Sequence, residues 1–106
     1  MKTLKFEHEF VKEILIGRKT TTWRLFDDKD LTIGDELELV DRDSKEKFAK
    51  AVIMDIQEKK IKDLTEEELK NHGYKNLEDM LSHYKNYYGD KVTLDTVVKM
   101  IDFELI

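Results

Sequence analysis

Arg18, Lys19, Thr22 and Arg24 fall within seven consecutive positions of a chain whose net charge is -5. No acidic residue lies between Ile14 and Phe26, so this basic island is not neutralised by its neighbours in sequence. Cations gathered in an acidic protein mark a place for an anion or a polar, electron-rich ligand. A lysine amine there can serve as a cation for phosphate, or as a base or nucleophile when desolvated. A threonine hydroxyl beside a guanidinium can hydrogen-bond a carbonyl, a base edge or a phosphate.

Each of these residues also has a purely structural reading. Lys19 can be a solvated lysine just past a helix end, where it complements the helix dipole. Arg24 can pair with Asp27, Asp28 or a glutamate on a neighbouring strand. Trp23, between the threonines and Arg24, reads as core. Tyr84 and Tyr88 share a helical face and read as packing. Tyr87 lies off that stripe, where it can stack a base or simply stand partly exposed. Glu66, Glu67 and Glu68 resemble an acid cluster but suit the first turn of a helix equally well. His72 and His83 read as surface or core histidines, and their spacing does not suggest a zinc site. Ser44 and Ser82 lack a nucleophile-elbow context. Four separated glycines make no phosphate-cradling loop.

The elements that must hold these residues can be read from periodicity. Thr3 to Phe6 is a short strand. Glu7 to Ile16 is a helix with Phe10, Val11, Ile14 and Leu15 on one stripe, and Gly17 stops it in a left-handed turn. Thr20 to Phe26 is a strand. Its alternation puts Thr20, Thr22 and Arg24 on one face and Thr21, Trp23 and Leu25 on the other. The first face is expected to look into a cleft. A turn at Gly34-Asp35 leads into a strand, Glu36 to Val40. After a polar hairpin turn, Phe48 to Glu58 forms a longer strand, with Phe48, Val52, Met54 and Ile56 on one side. Thr65 and Glu68 form a capping box, and Leu64 and Leu69 form a staple around it. Asn76 caps a further helix that ends at Gly89. Thr96 to Leu105 is the last strand. Sequential strands with short turns do not suit a doubly wound parallel sheet. The fold class is therefore α+β, a small, mostly antiparallel sheet or barrel decorated with about three helices.

Composition narrows the function. A length of 106 residues fits one domain, residues 1–106. With no cysteine, thiolate metal sites and disulfides are excluded, and a reducing cytoplasm is the expected location. No metal and no cofactor is expected. No stretch approaches the roughly eighteen apolar residues of a membrane span. A sequence pI near 5.2 argues against broad, non-specific grip on nucleic acid.

The order of these pieces resembles the ASCH domain family of the PUA-like superfamily. The resemblance rests chiefly on Gly17-Arg18-Lys19-Thr20-Thr21-Thr22-Trp23-Arg24, with support from Gly34-Asp35, Leu64-Thr65-Glu66-Glu67, Gly73-Tyr74 and Asn76-Leu77-Glu78-Asp79-Met80-Leu81. It covers almost the whole chain. It implies a PUA-like β-barrel, a cleft lined by Gly17 to Arg24, and RNA or a modified nucleoside as partner. Arg18, Lys19, Thr22, Arg24 and Tyr87 would contact that ligand. One branch of the family hydrolyses N4-acetylcytidine to cytidine and acetate, using a lysine, a threonine and a glutamate. Lys19 and Thr22 match the first two, and ungapped alignment puts His72 at the glutamate position. Three functions follow as expectations: an RNA- or nucleoside-binding domain, an N4-acetylcytidine amidohydrolase with Lys19, Thr22 and His72 as catalytic residues, or a protein-interaction module.

Overall fold

The computed structural model describes residues 1–106. Five strands form one curled, mixed sheet in the spatial order β1-β3-β4-β5-β2. They are β1 (Lys2–Phe6), β2 (Thr21–Leu25), β3 (Glu36–Asp41), β4 (Lys47–Lys60) and β5 (Val97–Leu105). Three helices accompany them: α1 (His8–Leu15), α2 (Glu66–Asn71) and α3 (Leu77–Tyr88). A short 3₁₀ turn, Ile61–Asp63, follows β4 and was not anticipated from periodicity. The architecture is the small α+β barrel type expected. One pairing departs from the antiparallel expectation: β1 and β3 run parallel, with Lys2 opposite Leu37 and Phe6 opposite Asp41. A parallel pair needs a crossover, and here residues 7–35, carrying α1 and β2, supply it.

The chain packs as two compact units, one of Met1–Gln57 with Lys99–Ile106 and the other of Glu58–Val98. The first unit has a core of Leu4, Phe6, Ile14, Leu31, Leu37, Leu39, Ala51, Ile53, Ile101 and Phe103. Alternation along β3 sends Leu37 and Leu39 inward. Phe6 is the aromatic hub, edge-on to Phe48 at 6.5 Å and tilted against Phe103 at 6.0 Å.

Two side chains differ from their expected positions. Leu15 is 51% exposed, because Ile14 alone of the last helical turn is buried. Met54 is 53% exposed, while Ala51 and Ile53 are buried. The cause is a bulge between β3 and β4. Leu39 faces Ala49 but Val40 faces Lys47, which leaves Phe48 without a partner in the register. A bulge shifts the side-chain alternation by one. Phe48 and Ala49 therefore both pack on the core, Ala51 and Ile53 follow on the inward side, and Ile56 packs against the core further along the strand.

In the second unit, helix ends follow their sequence signals. Thr65 Oγ1 accepts from the Glu68 N–H at 3.1 Å, and Glu68 Oε1 accepts from the Thr65 N–H at 3.0 Å. The flanking Leu64 and Leu69 are buried, as a staple requires. Asn76 Oδ1 accepts from the Asp79 N–H at 2.9 Å and starts α3. Met80 and Tyr84 form its buried face.

Candidate functional site

The site begins at the end of α1. Gly17 adopts φ +80°, a conformation that costs glycine little. Its N–H donates to the Ile14 carbonyl at 3.1 Å, and the Arg18 N–H donates to the Glu13 carbonyl at 2.9 Å. This pair of bonds is a Schellman motif. The Lys19 N–H also donates to the Glu13 carbonyl, at 3.1 Å. The helix terminus thus fixes the backbone of Lys19 two residues before β2 starts.

The same turn brings the Lys19 side chain back over α1. Its Nζ sits 4.7 Å from the centroid of the Phe10 ring, a cation–π contact. Burial, and then the nearby Arg24 charge, hold the Lys19 amine below the usual lysine value. No carboxylate contributes to that shift, and no ion pair forms at the amine. Asp27, one of the partners considered for Arg24, is engaged by Lys99 at 2.7 Å.

Arg24 is anchored on three sides. Its Nε donates to Thr22 Oγ1 at 3.2 Å, and one Nη donates to the Lys5 carbonyl at 2.9 Å. Its guanidinium carbon lies 4.8 Å from the centroid of the Phe6 ring. The hydrogen bond to Thr22 establishes that both residues share one face of β2, as alternation required. Thr22 itself is only 5% exposed. Its oxygen accepts from Arg24, and a hydroxyl in that role keeps its own hydrogen for donation. Trp23 and Leu25 are buried on the opposite face, so Trp23 is core. At the strand edge, the Thr20 carbonyl accepts from the Phe103 N–H at 2.9 Å and ties the start of β2 to β5.

The first unit therefore brings together a lysine, an arginine and a threonine above two phenylalanine rings. Arg18 shares the turn, and its side chain is exposed. Phe6 and Phe10 were not among the site residues read from sequence. The signal available was their placement on the strand and the helix that flank the turn.

The remaining expected site residues belong to the second unit. His72 is half-buried at the C-cap of α2, with its ring 5.9 Å from Tyr74. Tyr74 in turn meets His83 at 5.6 Å and Tyr84 at 6.0 Å, which makes a continuous aromatic cluster. Tyr87 is exposed at one end and edge-on to Tyr88 at 4.9 Å. Glu68 is committed to the cap and to Lys59, whose Nζ approaches it at 2.9 Å. The Thr65 N–H bond and then Lys59 hold its carboxyl below the usual value. It is a structural carboxylate. Glu66 and Glu67 are exposed in the first turn of α2.

A surface depression of about 490 Å3 lies elsewhere, lined by Met1, Lys2, Gly34, Asp35, Glu36 and Val52. Its cation, Lys2, already pairs with Asp35 at 2.7 Å. The Lys19–Arg24 group has no such internal counter-ion on its lysine.

No family model and no curated protein matches the sequence. Solved structures do match the fold. A protein from Enterococcus faecalis superposes with a TM-score of 0.79 at 14% identity, over 100% of this chain and 76% of its own. An ASCH domain from Lactobacillus crispatus gives 0.64 at 15% identity, over 90% and 69% of the two chains. An ASCH protein from Zymomonas mobilis gives 0.61 at 16% identity, over 96% and 65%. The chain has the ASCH-type fold. No helix is long and apolar enough to cross a membrane.

Proposed function

We propose that the protein is an ASCH-type domain that binds RNA or a nucleoside-sized ligand, with Lys19, Thr22 and Arg24 as its polar contacts. The observation that carries this reading is the Lys19 amine. It is partly desolvated, lacks a carboxylate partner and feels the guanidinium of Arg24. A desolvated lysine amine that has no carboxylate of its own and lies near another cation is unfavourable in its charged form unless a ligand supplies negative charge or lone pairs. Arg24 is pre-oriented by Thr22 and the Lys5 carbonyl, which lowers the ordering cost of binding. Arg18 extends the positive surface, and Tyr87 offers a separate base-stacking face. The test is titration of short RNAs and of cytidine at two salt concentrations, against the Lys19→Ala and Arg24→Ala variants. Affinity that is absent at low salt, or indifferent to both substitutions, sinks the proposal.

A second reading, amidohydrolysis of N4-acetylcytidine, is favoured by the same lowered amine. A lysine desolvated beside another cation is a recognised way to obtain a neutral nucleophile or base. Lys19 would attack or activate water, and the Thr22 hydroxyl would orient the amide. Incubation with N4-acetylcytidine tests it, with cytidine as the product sought. No turnover at high protein concentration removes this reading for that substrate. An interaction module without a small ligand is the outcome left if both assays are blank.

A further inference from the structure

We propose that the Lys19–Arg24 group is a phosphate seat, so that the ligand is recognised as a nucleotide or an RNA backbone and not as a neutral nucleoside. This deepens the binding reading above and rests on it.

The argument starts with what the aromatic rings are doing. Phe10 lies under the Lys19 amine and Phe6 lies under the Arg24 guanidinium. Those ring faces are occupied by cations, so they are not platforms for a base. What the pair offers a ligand is charge. The two cations are also held apart in kind. Arg24 is fixed as a fork by Thr22 and the Lys5 carbonyl, whereas Lys19 is a point charge on a flexible stem. A planar fork beside a mobile ammonium suits a tetrahedral oxyanion, which can take donors from several directions.

The surroundings of Lys19 point the same way. From β2 it faces Arg24, and from α1 it faces the Phe10 ring, while Glu13 of that helix meets it through a carbonyl bonded to its N–H. A bound anion would offset both influences that disfavour the charged amine, desolvation and the neighbouring cation. Binding therefore draws a proton onto Lys19 whenever part of the free protein carries it neutral. A neutral nucleoside would not do this.

Calorimetric titration with cytidine, cytidine 5′-monophosphate, inorganic phosphate and a short oligocytidylate separates the possibilities. The expected result is that the monophosphate binds about tenfold or more tighter than cytidine. Lys19→Met should abolish that preference, and Lys19→Arg should retain it. Above neutral pH, where the phosphate is fully ionised, wild-type affinity for the monophosphate should fall as pH rises, while Lys19→Arg shows a flat profile. Circular dichroism of each variant confirms that it is folded. A tighter oligocytidylate than monophosphate assigns the seat to the RNA backbone, and the reverse assigns it to a free nucleotide; both support the proposal. Equal affinities for cytidine and its monophosphate overturn the phosphate seat and leave the nucleoside reading standing. Inorganic phosphate binding as tightly as the monophosphate keeps the seat but overturns the nucleoside reading. No binding by any probe overturns both.

Discussion

Lys99→Met is the substitution whose cost the structure defines best. Lys99 and Asp27 are 16% and 9% exposed in their side chains, and Nζ meets Oδ2 at 2.7 Å. The ammonium also donates to the Leu31 carbonyl at 3.1 Å. Asp27 further accepts from the Lys29 N–H and the Leu31 N–H, both at 2.9 Å. The pair therefore fastens the loop that leaves β2 directly after the Arg24 strand. Methionine keeps most of the volume but removes a charge-assisted bond and the donor to Leu31. It leaves a nearly buried carboxylate with two backbone partners. Losing such a bond costs about 1.5–3 kcal/mol, and stranding the partner charge adds to it, while the surviving N–H bonds and the apolar side chain offset part. The expected loss is about 2–3 kcal/mol. Urea unfolding followed by the fluorescence of Trp23, buried on the adjacent strand, reads it directly. With a urea slope near 1–1.5 kcal/mol/M, the midpoint falls by about 2 M. The pH dependence provides an independent check. Burial raises the Asp27 carboxyl, but the Lys99 bond and the two backbone bonds outweigh it, so the net shift is downward. A carboxyl depressed in the folded state gives stability that is present above its unfolded value and lost as pH falls through its folded one. The gap between wild type and Lys99→Met should therefore shrink below about pH 4. A loss under about 0.5 kcal/mol, or a gap that persists unchanged in acid, refutes the reasoning.

Three further outcomes are expected. Gly17→Ala should cost about 1 kcal/mol in urea unfolding, since φ is +80° and nothing crowds the added methyl; a neutral effect would mean the turn relaxes freely. Thr65→Ala should lower stability by about 1 kcal/mol through loss of the α2 cap, and an unchanged midpoint would show that Lys59 alone holds Glu68 and the helix start. His8 bonds Asp41 through Nδ1 at 2.6 Å, and that bond, followed by the Asp41 charge, raises its pKa. Its stabilising effect is full below the unfolded histidine value and disappears as pH rises through the folded one. NMR titration should show His8 moving back toward an ordinary histidine in Asp41→Asn, and no movement would disprove the coupling.

What was legible in the sequence was local. The Thr65–Glu68 box, the Asn76 cap and the Gly17 stop each depend on residues within a few positions of one another, and all three formed. The Thr22–Arg24 pair was legible for the same reason, because strand alternation needs no tertiary information. The parallel β1–β3 pairing was not, since it joins segments separated by a helix and a strand. Met54 was misplaced because the bulge at Phe48 is a property of two strands in register, and β4 alone carries no sign of it. The Asp27 partner Lys99 was not legible, because it lies far along the chain. Lys19 was identified by type, but its seat on Phe10 depends on how the turn folds back over α1.

The Schellman turn also makes the connection between α1 and β2 a ruler. The Glu13 carbonyl holds both the Arg18 and the Lys19 N–H groups, and Thr20 is tied to Phe103, so both ends of the short span are clamped. Lys19 and Thr20 are consecutive, so the turn leads straight into the register of β2 against β5, and that register sets which side carries Arg24. A one-residue slip of β2 against β5 would exchange the faces, moving Arg24 and Thr22 to the side now held by Trp23. Side chains at Arg18 and Thr20, both exposed, can change identity at little structural cost, whereas a change in length must break the bonds to Glu13 or to Phe103 or bulge between them. Spacing is thus the more stringent requirement at this segment, and composition the more permissive one.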